Sequence, residues 1–183
     1  MVRKNILGRT NLIEKKPFID KIILNMARKK KQVIYGARSI EAQNPLFARD
    51  TSDYDILSKH PKSDANELKR KLNRLMQINY FYSKPAKHKG TFKVKGIGMD
   101  MKKDTEDDES IADYTGQLTG MGNNVPTYKK NGVRYRLLKI ELERKKAILK
   151  DPEFAFRREK DKDDINRIKG YLKIKRLMGG MDT

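Results

Sequence analysis

Two aspartates separated by one residue, Asp53 and Asp55 in the stretch TSDYDIL (residues 51–57), are the side chains of this sequence best suited to chemistry. The stretch alternates as a strand does, and residues two apart on a strand share a face, so both carboxylates address the same space. At that separation they repel, and a hard divalent cation, which prefers oxygen ligands, relieves the repulsion. Asp113 in SIADYT (residues 110–115) lies on the face shared by Ile111 and Thr115 and can add a third carboxylate from a neighbouring strand. Three acids on two strands suit a two-ion centre, in which one ion activates a hydroxyl and the other steadies the leaving phosphate oxygens. An acidic pair at a strand end is equally at home on a solvated face, so spacing alone leaves both readings open.

The surrounding elements must hold those acids. Phe18, Ile19, Ile22, Ile23 and Met26 fall at helical spacing, and the cations from Arg28 to Lys31 suit a helix C-terminus. Residues 32–36 (QVIYG) read as a buried strand closed by glycine, and Ala37-Arg38-Ser39-Ile40 can open a short helix. After the interruption at Asn44-Pro45, the DYD strand follows, then a helix over 63–76 with Ala65, Leu68, Leu72, Leu75 and Met76 as its apolar stripe. Residues 80–83 and 91–94 predict two strands joined by a turn at 87–90, and the acidic stretch 100–109 reads as a mobile loop before the SIADYT strand. Residues 116–124 are glycine-rich and loop-like, 133–150 predict a helix stopped by Asp151-Pro152, and a last helix runs over about 154–168. Strands interleaved with helices make the fold class α+β, with a small mixed sheet. The chain divides on this reading into a basic arm (1–17), a core (18–128) and a basic helical tail packed on it (129–183).

VIYGARS (33–39), TSDYDIL (51–57) and SIADYT (110–115) together resemble the nucleotidyltransferase superfamily of the polymerase beta type. That family has a strand, a glycine turn at a helix start, a D-x-D strand and a third aspartate on an adjacent strand. The resemblance, over roughly residues 18–169, implies that Gly36, Ala37, Arg38 and Ser39 lie at the nucleotide phosphates. It implies that Asp53, Asp55 and Asp113 bind Mg2+ (or Mn2+) and are catalytic, with Asp113 helping to activate the acceptor hydroxyl. Gly36 is followed by alanine where the family has Ser or Gly, and the insertion around 44–49 lengthens the spacing to Asp53. Downstream, residues 145–152 and 157–165 (RREKDKDDI) resemble the helical tail of stand-alone members, in which a lysine or arginine reaches the nucleotide; here that residue is Lys146. Without the resemblance, Asp161 and Asp164 read as surface partners for neighbouring bases.

Among 183 residues, 43 Lys and Arg against 24 Asp and Glu leave a formal charge of +19, which calls for a polyanionic partner, nucleic acid (RNA or DNA) first, with an anionic membrane surface or an acidic protein as alternatives; the resemblance adds an NTP. Ten bases against two acids precede Gly36, and lysines 84, 87, 89, 93 and 95 surround Tyr80, Phe81, Tyr82 and Phe92. Such a hairpin can grip a single-stranded end by stacking, or its aromatics can be its buried face. The absence of cysteine excludes disulfides, thiol catalysis and thiolate zinc sites. No P-loop or dinucleotide fingerprint is present. No apolar run approaches the ~18 residues of a membrane span, and no secretory signal opens the chain, so the expectation is a soluble intracellular protein, of a cell, a host cytoplasm or a virion. The leading expectation is a metal-dependent transfer of a nucleoside monophosphate from an NTP to a hydroxyl. Its alternatives are a catalytically degenerate basic protein acting structurally, with a protein partner or larger assembly, and a toxin-like enzyme acting on a protein or small molecule.

Overall fold

The computed structural model describes residues 2–47, 49, 51, 53–116 and 125–179, with side chains from Glu14 onward apart from that of Phe47. Among the described residues, seven strands form one mixed sheet: β1 (Val33–Tyr35), β2 (Tyr54–Leu57), β3 (Phe81–Pro85), β4 (Thr91–Gly96), β5 (Glu109–Thr115), β6 (Thr127–Lys130) and β7 (Val133–Arg136). Their order is β3-β4-β5-β2-β1-β7-β6. Strand β1 runs antiparallel to β2 and parallel to β7, while β2 and β5 are parallel. The α+β class with a mixed sheet, flanking helices and a helical C-terminus is the fold observed.

Two helices, α1 (Val2–Lys29) and α3 (Pro61–Met76), cover one face of this sheet. Ile23 and Met26 of α1 and Ala65, Leu68 and Leu72 of α3 close on Ile34, Ile56, Val94, Ala112 and Tyr114, all buried. Full burial of a leucine such as Leu68 or Leu72 stabilises by roughly 2 kcal/mol, so this face is the main store of apolar stability. A second, smaller cluster joins Ile40 of α2 (Ala37–Gln43), Leu138 and Leu142 of α4 (Leu138–Lys150), and Ile165 and Ile168 of α5 (Arg158–Leu177). Strand alternation leaves Tyr35, Asp55, Leu57, Asp113 and Thr115 on the face away from α1 and α3.

Several elements depart from expectation, each for a local reason. The segment expected to be an arm is helical, and α1 runs from Val2 through Pro17 to Lys29; lysines, arginines and leucines favour helix even where no apolar stripe advertises it. Residues 133–150 are not one helix. Asn131 (φ 51) and Gly132 (φ 76) make a tight turn with both residues in the left-handed region, which the Asn-Gly pair favours, so Val133–Arg136 returns as β7 against β6. The helix over 63–76 starts two residues earlier, with Pro61 in its first turn, where a missing N–H costs nothing.

The stretch 100–109 is built around a buried carboxylate rather than left as a mobile loop. Asp108 accepts the hydroxyl of Tyr82 and the backbone N–H groups of Gly98 (2.8 Å), Asp104 (2.6 Å) and Thr105 (3.1 Å). Asp161 and Asp164 are not surface partners either: both are fully buried, and Lys145, itself buried, donates to them at 3.0 and 2.7 Å. Tyr80, Phe81 and Tyr82 belong to the core, which removes them as stacking surfaces; of the hairpin's lysines, Lys87 and Lys89 are exposed and Lys84, Lys93 and Lys95 half-buried. Of the glycine-rich stretch, residues 117–124 lie outside the described residues.

Candidate active site

The acids meet because of strand register. Tyr35 on β1 is opposite Asp55 on β2, Asp55 is opposite Asp113 on β5, and Asp113 is opposite Lys93 on β4. Arg136 follows the Ile34 and Tyr135 pair on β7, so one row across the sheet reads Arg136, Tyr35, Asp55, Asp113, Lys93. A cation stands at each end, two carboxylates stand in the middle, and all five side chains belong to the face that α1 and α3 leave free.

Gly36 and Asp55 are fitted to each other. Gly36 adopts φ 69, and a Cβ placed there would come within 2.3 Å of Asp55 Oδ2. Only glycine tolerates both the backbone conformation and the carboxylate's approach. Asp53 lies just before β2, where Thr51 Oγ1 donates to its Oδ1 at 2.8 Å.

Electrostatics distinguish the acids. Burial, then the charges of Asp53 and Asp113, push the Asp55 carboxyl up to about 6, against the pull of Arg144. Burial also raises Asp113, opposed by Lys93, whose Nζ is 2.9 Å from Asp113 Oδ2. The other oxygen, Asp113 Oδ1, is buried without a hydrogen-bond partner. A proton or cation near these acids is therefore favoured, since like charges held in low dielectric resist joint ionisation. Among the described residues no three acids or histidines are gathered closely enough to form a ready-made metal cluster. The donor set nonetheless has the chemistry of a hard-cation site: carboxylate oxygens only, mutually repelling, one of them unpartnered.

Of the residues singled out in the sequence, Gly36, Asp55 and Asp113 adjoin one another, and Asp53 stands within electrostatic reach of both acids. Ala37 is buried beside Gly36, and Ser39 turns its hydroxyl back to the Gly36 carbonyl at 2.8 Å. Arg38 is engaged away from the acids, 4.6 Å over the Tyr54 ring and 2.8 Å from Glu41 Oε2. Lys146 pairs with Glu143 at 2.7 Å and lines a groove between α4 and α5 with Leu142, Lys169 and Lys173. The cation of α4 that acts on Asp55 is Arg144, one turn from Glu141, which it shares with Arg136.

Sequence reasoning misses Arg136 because a helix over 133–150 takes in residues 133–136, which the structure gives to β7; Tyr35 and Arg144 lie on the strand and the helix expected for them, with nothing local to mark them as neighbours of the acids. The Asn131-Gly132 turn was the signal that would have placed Arg136 on a strand beside Tyr35. On the other flank, His88 in the β3–β4 turn stacks on Phe154 with centroids 5.4 Å apart, and its charge is felt by Asp113. The β3–β4 turn and the 3-10 segment Pro152–Arg157 thus meet beside the Lys93 end of the row.

This sheet, with its glycine turn and paired acids, is a nucleotidyltransferase-type fold. Among solved structures, the chain is similar to the crystal structure of the Megavirus polyadenylate synthase, with a TM-score of 0.67 and 22% identity over 85% of this chain. The match takes in 31% of that longer chain, so the present sequence spans about a third of it. No family model matches the sequence, and no curated protein matches it.

Proposed function

We propose that the protein is a metal-dependent nucleotidyltransferase that moves a nucleoside monophosphate from an NTP to a hydroxyl on RNA or DNA. The observation that carries this reading is the in-register pair Asp55 and Asp113 beside Gly36, with Asp53 adjoining. The similarity to a polyadenylate synthase supports ATP as the first donor to test and an RNA end as the first acceptor.

Asp53, Asp55 and Asp113 would hold Mg2+ or Mn2+. When bound, such an ion supplies charge neutralisation and Lewis acidity at the phosphate oxygens. The protein's own part is positional and electrostatic. Gly36 leaves space for Asp55, and Asp113 Oδ1, buried and unpartnered, is free to accept a hydrogen bond from the acceptor hydroxyl. That hydroxyl oxygen bonds to the α-phosphorus, the bond to the bridging oxygen breaks, pyrophosphate leaves, and the hydroxyl proton passes to Asp113. Lys93 is placed to stabilise the returning carboxylate.

Incubation with each labelled NTP, Mg2+ or Mn2+ and a pool of RNA and DNA acceptors tests the proposal. Incorporation by the native chain that is lost in Asp53→Asn and Asp55→Asn supports it. Salt-sensitive binding to nucleic acid with no incorporation for any NTP supports a degenerate, structural role instead.

A further inference from the structure

Helix α5 runs on beyond the part of it that the fold buries. Its buried residues end at Ile168, and from Lys169 to Met178 none is buried. Those last turns are nonetheless apolar on one side. Ile174, Leu177 and Met178 fall at i, i+3 and i+4, and they are 45%, 78% and 81% exposed. Leu177 also lines the groove of about 470 Å³ between α4 and α5, together with Leu142 and Leu172. Leu142 belongs to the small cluster that packs these helices together and Leu172 packs against it, so the groove carries that cluster out to the surface. The remaining side chains of the groove are all cations: Lys146, Lys169, Lys173 and Arg176.

A single exposed leucine needs no explanation, whereas a helical stripe continuous with an apolar groove marks an interaction surface. The charges around it select the partner. A second copy of this chain would set the same cations against these, a like-charge contact that disfavours pairing. A single strand of nucleic acid finds phosphate partners here, but among the described residues no aromatic ring lines the groove for its bases to stack on. An amphipathic helix with Asp or Glu along its edges meets both features: its apolar face lies in the groove, and its acids meet the lysines. The stretch from Lys169 to Met178 spans about 15 Å, which accommodates nearly three turns of such a helix.

We propose that the α4–α5 groove and the exposed end of α5 form a docking surface for an acidic amphipathic helix of a protein partner. The surface stands whether or not the chain transfers nucleotides, and it gives Lys146 a role in partner recognition rather than at the nucleotide.

The chain has no cysteine, so Lys173→Cys places a single environment-sensitive dye at the groove and Lys62→Cys, exposed on α3, places it elsewhere. The probe is a synthetic helical peptide of about 18 residues, with leucines along one face and glutamates along its edges, and a scrambled peptide of the same composition is its control. On titration the dye at Lys173→Cys is expected to shift to the blue, and the dye at Lys62→Cys to stay unchanged. Anisotropy of the labelled peptide is expected to show at least tenfold weaker binding for Leu177→Gln and for the scrambled peptide, and native affinity for Lys62→Gln. Leu177 is exposed, so Leu177→Gln should melt as the native chain does, which separates lost binding from lost folding. The proposal is overturned if the native chain binds no peptide, if the scrambled peptide or the Leu177→Gln chain binds equally well, or if both dyes respond alike. It is also overturned if Leu177→Gln keeps its peptide affinity but loses co-sedimentation with phosphatidylserine vesicles or affinity for a single-stranded oligonucleotide.

Discussion

Asp55 is where burial and like charge act together. Its folded-state pKa of about 6 stands above its ordinary value of 3.8. Between those values the folded chain keeps a proton that the unfolded chain has released, so stability falls as pH rises through that window. Asp55→Asn removes the ionisable group and is expected to melt above the native chain at pH 7.5 in EDTA, by an equivalent of about 3 kcal/mol. The advantage should shrink toward pH 4, and identical melting curves across the range would contradict the assignment. Gly36 tests the same contact from the other side. In Gly36→Ala the new methyl meets Asp55 Oδ2 while φ stays positive, so a stability loss of roughly 1–3 kcal/mol is expected together with loss of transfer. Denaturant unfolding measures the first and labelled-NTP incorporation the second; a fully active, equally stable variant would show that the close approach does not matter.

At the scale of elements, the acids depend on strand pairing, as do Arg136 and Lys93 at the ends of the row, while Arg144 depends on α4. Alternation in TSDYDIL sufficed to read Asp53 and Asp55 as facing one way, and in SIADYT to set Asp113 with Ile111 and Thr115, because period-two patterning is local; the structure keeps Asp55 and Asp113 on strands and leaves Asp53 just before β2. Register is not local: nothing in either stretch dictates that Asp55 stands opposite Asp113, and this pairing is the new structural fact. Tail helices illustrate the same limit. Asp161 and Asp164 have charged neighbours three and four residues away and look solvated. The fold instead buries them against Lys145, and Arg157 and Arg49 add contacts at 2.7 and 2.9 Å. This network ties α4, α5 and the approach to β2 together. Lys145→Met leaves two buried carboxylates short of their central cation, and the expected cost is roughly 3–5 kcal/mol. Chemical denaturation should report it, and a loss below ~0.5 kcal/mol, the usual range for surface changes, would show the network to be incidental.

On the scale of the whole molecule, the formal charge of +19 and the acidic centre of the sheet row are complementary. The positive charge suits polyanions, while Asp55 and Asp113, with Asp53 near them, form a local negative island that, on the proposed reading, a divalent cation would neutralise. Binding of a single-stranded oligonucleotide should therefore weaken steeply with salt. Contact with about five phosphates gives a slope of roughly −3.5 in log K against log salt, and a slope near zero in fluorescence anisotropy would exclude a charge-driven interaction. The central claim is tested most directly by transfer itself. With Mg2+ or Mn2+, ATP and the other NTPs, and RNA and DNA acceptors, the native chain is expected to add labelled nucleotide to a 3′ end, and Asp55→Asn is expected to lose at least a hundredfold in rate. Undiminished incorporation by Asp55→Asn, or none by the native chain with any donor and acceptor, would contradict the account.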